Sequence, residues 1–288
     1  MSSKVSIIVP TRNSGRTIEI CLRSIIAQSH RNIEVIVADS LSSDGTVPKA
    51  LSLGATVLKF PAEAERTSKK NEAARQSQGD FLLFLDSDIE LTKEVVAECL
   101  KLCNSCDAVI IPQRVSPRKG YWAKCRALEI LTYDGDDLVE SPTFFKKRVF
   151  FAAGGFDERL VFGEENDLGL RVRKLGFRVS RTKSHAWHHE GSLRAVIMRK
   201  FYYGRTSISY LRKAKGTAFV QFTPVRVAWL RNWKMLTRDP PHATGMVIQK
   251  FAQYLSAGIG LIFGLVGTLT ISSVRRDNMA IRNRCERQ

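Results

Sequence analysis

The chain of 288 residues is 44% hydrophobic and 25% charged, an ordinary globular balance that excludes a mainly disordered polymer. Its formal charge of +17 is unevenly spread: Gly191 to Gln288 holds 17 basic and 3 acidic residues, the first 190 positions 28 basic and 25 acidic. A near-neutral body with a basic tail suits an anionic membrane surface or nucleic acid, while the absence of a fixed-period repeat excludes a solenoid or propeller.

Val5 to Val9 is a β-rich run that Pro10 is expected to end, and the start before it is too short for the core of a secretory signal, so a cytosolic, reducing setting is expected. Apolar residues at Ile18, Cys21, Leu22, Ile25 and Ile26 give Thr17 to Gln28 a helical period. Ile33 to Ala38, ending at Asp39, and Ala55 to Phe60 are strand-like. Ser68 to Gln78 reads as a helix stopped near Gly79, and Phe81 to Leu85 as a buried strand ending at Asp86. Thr92 can cap a helix to about Asn104, and Ala108 to Ile111 follows as a strand. This alternation predicts an α/β fold, a mostly parallel sheet flanked by helices, with ligands beyond the carboxyl ends of the strands. Cys99, Cys103 and Cys106 share a helical face but lack the spacing and fourth ligand of a zinc site, so all six cysteines read as reduced thiols.

After Pro112 the pattern loosens. Gly154-Gly155-Phe156-Asp157 precedes a helix expected from Glu164 to Lys174, and Phe177 to Ser180 is strand-like. From Leu193 aromatic, apolar and basic side chains interleave, and Pro240-Pro241 is expected to break the chain. Gln253 to Val274 is uncharged over 22 positions. As a helix it spans about 33 Å, against about 30 Å of bilayer hydrocarbon. Gly260 and Gly264 form a small-xxx-small pair suited to helix packing, and Arg275-Arg276 follows the stretch. A division into 1–215 and a basic, helical, membrane-associating tail of 216–288 is expected.

Three carboxylate groups sit where strands end or helices begin: Asp39, Asp86-Ser87-Asp88, and Glu164-Glu165-Asn166-Asp167. Paired aspartates at a strand exit can offer oxygens to a hard divalent cation, which commonly takes one or two carboxylates plus substrate phosphates. Val5-Ser6-Ile7-Ile8-Val9-Pro10-Thr11-Arg12-Asn13, the Val37 to Thr46 segment, Asp86-Ser87-Asp88, Gly154-Gly155-Phe156-Asp157-Glu158 and Gly163 to Leu168 occur in the order of the motifs of the family 2 glycosyltransferases. Over roughly residues 4–215 the chain resembles that family, whose fold is GT-A, a Rossmann-like nucleotide-diphospho-sugar transferase.

The resemblance implies an inverting transfer of a sugar from a nucleotide diphosphate donor to an acceptor hydroxyl. Pro10, Thr11, Asn13, Asp39 and Arg66 would line the donor pocket. Asp86 would touch ribose or metal, and Asp88, Glu90 and His188 would hold Mg²⁺ or Mn²⁺, with His189 second to His188. Glu165 stands where the family usually has Asp, so the proton-accepting base is Glu165 or Asp167. The tail then suggests a glycan or lipid-linked acceptor and the cytoplasmic face of a membrane, held peripherally, by a re-entrant helix or by a single helix anchor. The alternatives are a non-catalytic nucleotide-sugar-binding protein, to which the Glu165 departure points, and a basic nucleic-acid-binding protein, for which no motif is present. Nucleic acid is not an expected partner.

Overall fold

The computed structural model describes residues 3–115, 120–137, 139–189, 193–213 and 227–285, with side chains placed from 228 to 266 in the last segment. The expected boundary at 215/216 and Glu190-Gly191 lie outside the described residues.

Seven strands form the main sheet. β1 (Val5–Thr11), β2 (Ile33–Asp39), β3 (Thr56–Lys59) and β4 (Phe81–Phe84) run parallel in the order β3-β2-β1-β4. β8 (Phe144–Lys146) then pairs antiparallel with both β4 and β6 (Ala108–Ile110), and β9 (Val179–Arg181) closes the far edge parallel to β6. The sheet is therefore mixed, and mostly parallel as expected. Alternate residues of β1 feed opposite faces: Ile7 and Val9 pack with α1 (Ile18–Ile26), α2 (Thr46–Ser52) and α4 (Val95–Leu102), Ile8 with α3 (Arg66–Gln76), α6 (Lys147–Ala152) and α7 (Glu164–Lys174). Burying Ile18, Leu22 and Ile25 of α1 stabilises the fold by about 1.5–3 kcal/mol per side chain.

Pro10 does not end β1. The strand runs on to Thr11 because β4 stops pairing at Ile8↔Phe84, so no β4 carbonyl calls for the N–H that Pro10 lacks. Parallel pairing of β1 with β2 then sets Thr11 opposite Asp39 at the carboxyl edge. A second, three-stranded sheet crosses beyond that edge in the order β5-β10-β7. β5 (Ile89–Leu91) continues directly from Asp88, β7 spans Gln113–Val115, and β10 (Ala186–His188) brings its histidine against Ile89.

α5 (Tyr121–Thr132) and α8 (Leu193–Thr206) support the long C-terminal helix Pro240–Cys285. Pro240 starts this helix, since a first helical position needs no N–H donor. The helix runs parallel to α8: Ser256 Oγ donates to the Ile197 carbonyl, and a Cβ at Gly260 or Gly264 would strike the carbonyl of Phe201 or Arg205, each pair 59 residues apart. The Gly260–Gly264 pair thus lets two backbones touch. Cys21, Cys99, Cys103, Cys106 and Cys125 are buried and unpaired, with Cys103 and Cys106 Sγ 4.0 Å apart. Burial pushes the Cys103 thiol up to about 12.

Candidate active site

The carboxyl ends of β1 and β2 carry one end of the site. Asp39 is fully buried and accepts hydrogen bonds from Thr11 Oγ1 at 2.8 Å and from the Ser42 amide at 2.8 Å. Asn13, in the left-handed region at φ 52°, accepts from the Ser43 amide at 3.0 Å and donates its own amide to Ser42 Oγ at 2.7 Å. The loops after β1 and β2 are thereby laced together. Thr11 and Asp39 are bonded directly and Asn13 joins them through the Ser42-Ser43 turn, with Pro10 next to Thr11 on β1.

Helix α3 is the spine of the site. Its sequence is strongly hydrophilic, yet Thr67, Lys69, Lys70, Asn71, Ala73 and Ala74 are buried. Lys69 Nζ donates to the Thr11 carbonyl at 3.0 Å and is drawn down to about 8 by burial, opposed by the nearby Asp39 carboxylate. Arg66 bridges two motifs far apart in sequence: its guanidinium lies 3.3 Å from Asp86 and forms an ion pair with Glu164. Lys70, 1% exposed, lies 2.9 Å from Glu165 and 3.6 Å from Glu164, with its ammonium over the Phe156 ring. Asp86, Arg66, Glu164, Lys70 and Glu165 therefore form one continuous network. Burial pushes the Asp86 carboxyl up, but Arg66, Lys70, His188 and Arg199 outweigh it and hold it below the usual carboxylate range.

The small second sheet brings up the histidines. His188 Nε2 is 3.1 Å from Asp88, and His189 Nε2 is 2.7 Å from Glu90. A main-chain bond from the His189 amide to the Asp88 carbonyl, 2.8 Å, fixes the two segments. Asp88 and His188 therefore meet, whereas Glu90 is taken by His189. Among the described residues no group of three His, Cys, Asp or Glu side chains gathers about one point.

Asp167 joins a different network. It pairs with Arg171 at 2.8 Å and Lys213 at 2.7 Å; Lys213 also reaches Asp157, and Arg171 donates to the Ala153 and Gly155 carbonyls. This network clamps the turn through Gly154 and Gly155, both at positive φ; a Cβ at Gly155 would press on the Asn71 amide oxygen. Sequence reasoning missed Lys69, Lys70 and the burial of Glu164. Their signal is basic residues at i, i+3 and i+4 from Arg66 on a helix with no apolar stripe.

A family model described as glycosyl transferase family 2 matches residues 6–156. An Escherichia coli UDP-Glc:α-D-GlcNAc-diphosphoundecaprenol β-1,3-glucosyltransferase is 34% identical over 87 residues, covering 29% of this chain and 34% of that protein. A Campylobacter jejuni GalNAc(5)-diNAcBac-PP-undecaprenol β-1,3-glucosyltransferase is 29% identical over 127 residues, covering 42% of this chain and 41% of that protein. The chain thus spans well under two thirds of the length of these relatives. In three dimensions it is similar to the Pyrobaculum calidifontis mannosyltransferase solved with GDP-Man and Mn²⁺: TM-score 0.63, 19% identity, 91% of this chain and 88% of that one. That likeness establishes the GT-A fold.

Proposed function

Because this chain belongs to glycosyl transferase family 2, we propose that it moves a sugar from a nucleoside diphosphate donor to a hydroxyl of a lipid-linked glycan, with inversion at the anomeric carbon. The observation that carries this reading is the network through Arg66, which ties Asp86 at the exit of β4 to Glu164 and, through Lys70, to Glu165 at the start of α7.

The nucleoside lies against Thr11, Asn13 and Asp39, and the diphosphate extends past Asp86 and Asp88. Asp88 and His188 fit a hard divalent cation, Mg²⁺ or Mn²⁺, when donor diphosphate oxygens complete its shell. Such an ion, once bound, neutralises charge on the departing diphosphate. The acceptor oxygen attacks the anomeric carbon, the carbon–oxygen bond to the β-phosphate breaks with its electron pair going to the diphosphate, and Glu165 takes the acceptor proton. Lys70 orients Glu165 for this. Asp167, committed to Arg171 and Lys213, supports the fold of the acceptor side.

The lipid-linked acceptor is supported by the named substrates of the two bacterial relatives and by the C-terminal helix. Pro240–Val266 is apolar and long enough to cross a membrane by composition. Ile248, Phe251, Leu255, Ile259, Ile262 and Val266 form one exposed stripe along it. With the basic residues of this half, the stripe suits attachment at the cytoplasmic surface of an anionic bilayer. The decisive experiment incubates the full chain with UDP- and GDP-sugars, Mn²⁺ or Mg²⁺ and a polyprenyl-diphospho-sugar. Transfer that is lost in Arg66→Met and falls by about a hundredfold or more in Glu165→Gln is expected. A wild-type protein that neither binds nor turns over any nucleotide sugar would overturn the reading.

A further inference from the structure

Two cavities meet behind the carboxylates. The first, about 340 Å³, lies between α8 and the C-terminal helix and is mainly apolar, with Phe162, Leu211, Ala257 and Leu261 in its walls. The second, about 300 Å³ and polar, reaches from Glu165 and Asn166 to Arg126 and Glu129 of α5. Lys200 and Lys250 line both. The apolar cavity also touches the catalytic network, because its Tyr203 lies close enough to Arg66, Asp86 and Glu164 to feel their charges.

Two features mark this as a ligand site. Gln253 lines the apolar cavity, is 2% exposed, and neither end of its amide has a hydrogen-bond partner. A buried amide left this way is costly unless something bonds it. At the junction, Lys200 and Lys250 line both cavities, and Lys250 and Arg126 share the buried Glu129 carboxylate, so two ammonium groups stand where the apolar and polar spaces join.

Resting on the glycosyltransferase reading, we propose that these joined cavities hold an amphiphilic phosphorylated acceptor. Its terminal sugar lies in the polar cavity beside Glu165. Its phosphate or diphosphate lies at Lys200, Lys250 and Gln253. The start of its hydrocarbon chain fills the apolar cavity and leaves along the C-terminal helix, whose far side carries the exposed apolar stripe. The ordering follows the chemistry: the base must meet the sugar hydroxyl, and of these two cavities the one between α8 and the C-terminal helix is the apolar one that suits a chain.

The test is calorimetric titration of the full chain, kept saturated with UDP, with decyl diphosphate below its micellar concentration. Inorganic pyrophosphate and decyl maltoside are the comparisons. Decyl diphosphate is expected to bind at least tenfold more tightly than either. Gly258 stands at the exposed edge of the apolar cavity and a Cβ there would meet nothing within 4 Å, so Gly258→Leu sets a bulky side chain at the mouth of the cavity without a clash. It should weaken decyl diphosphate at least tenfold, and stabilisation by UDP reports that the variant is folded. Gln253→Leu should raise the Tm while weakening decyl diphosphate; a purely structural glutamine would change the Tm alone. Equal affinity for pyrophosphate or decyl maltoside, or an unchanged Kd in Gly258→Leu, overturns the acceptor site while leaving the transferase reading standing. Failure of UDP to bind the wild-type chain overturns the transferase reading itself.

Discussion

Two ion-pair networks grow from the first turn of α7, and they have opposite fates. Glu164 and Glu165 turn toward α3 and join Arg66, Lys70 and Asp86. Asp167, two residues further, turns toward Arg171 and Lys213 and stiffens the Gly154-Gly155 turn. The first network ends at half-exposed carboxylates, Asp86 and Glu165, which a substrate can approach. The second ends on main-chain carbonyls. Acidic side chains in the same helical turn thus part according to what lies across from them, and on the proposed reading one set serves chemistry and the other architecture.

Substitutions separate the two most sharply. Glu165→Gln should lower kcat for transfer by about 10²–10⁴-fold while leaving the KM for donor near wild type, since an amide keeps the shape but accepts no proton. Single-turnover transfer measures this; an unchanged kcat would move the base elsewhere. Asp88→Ala comes next, with a loss on the order of a hundredfold and a flattened dependence on added Mn²⁺ or Mg²⁺. Chelator should slow wild-type transfer more than it slows this variant.

The architectural network should fail differently. Asp167→Asn takes the carboxylate from Arg171 and leaves Lys213 with Asp157 alone, at a buried position, a destabilisation of about 2 kcal/mol, or about 5 °C in Tm. Thermal unfolding is expected to show that loss, with transfer at 20 °C within a few-fold of wild type. A large kcat effect with an unchanged Tm would merge the two networks into one catalytic unit.

How much of this was legible in the sequence follows from the same contrast. Asp39 and Asp86-Ser87-Asp88 stood out because apolar strands announce their own ends, and the α7 range Glu164–Lys174 matches its expected span. β5, β7 and β10 are three residues each, too short to show a period, although they join Asp88 to His188. α5 carries no clear apolar stripe and was missed with them. α3 was foreseen as a helix from Ser68, but its start at Arg66 and its burial were not. Lys70 is an ordinary surface residue in composition and becomes the most buried cation of the site only because carboxylates and an aromatic ring from residues 156–165 close over it. Between Glu164, Glu165 and Asp167, spacing alone cannot choose, since helix acids four residues or fewer apart are separated by tertiary partners.

The smallest expected effect concerns Lys69, which joins the proposed donor end of the site to α3. Burial lowers its ammonium to about 8, against an ordinary value of 10.5. Between those values the folded chain holds fewer protons at this position than the unfolded chain. This residue's contribution to stability therefore rises as pH climbs from about 8 to about 10.5, and below 8 the charged form is a standing cost. Donor binding should move the other way: a charged Lys69, at the proposed nucleoside end beside Thr11 and Asp39, adds positive potential that favours the anionic donor, and the neutral amine does not. Affinity for UDP is expected to fall about fivefold from pH 7 to pH 9, and Lys69→Met should bind more weakly at pH 7 with that slope removed. Titration calorimetry across the range reads both. A wild-type slope that survives in Lys69→Met would place the titrating group outside α3, and the donor end of the site would then depend on the β1 and β2 loops alone.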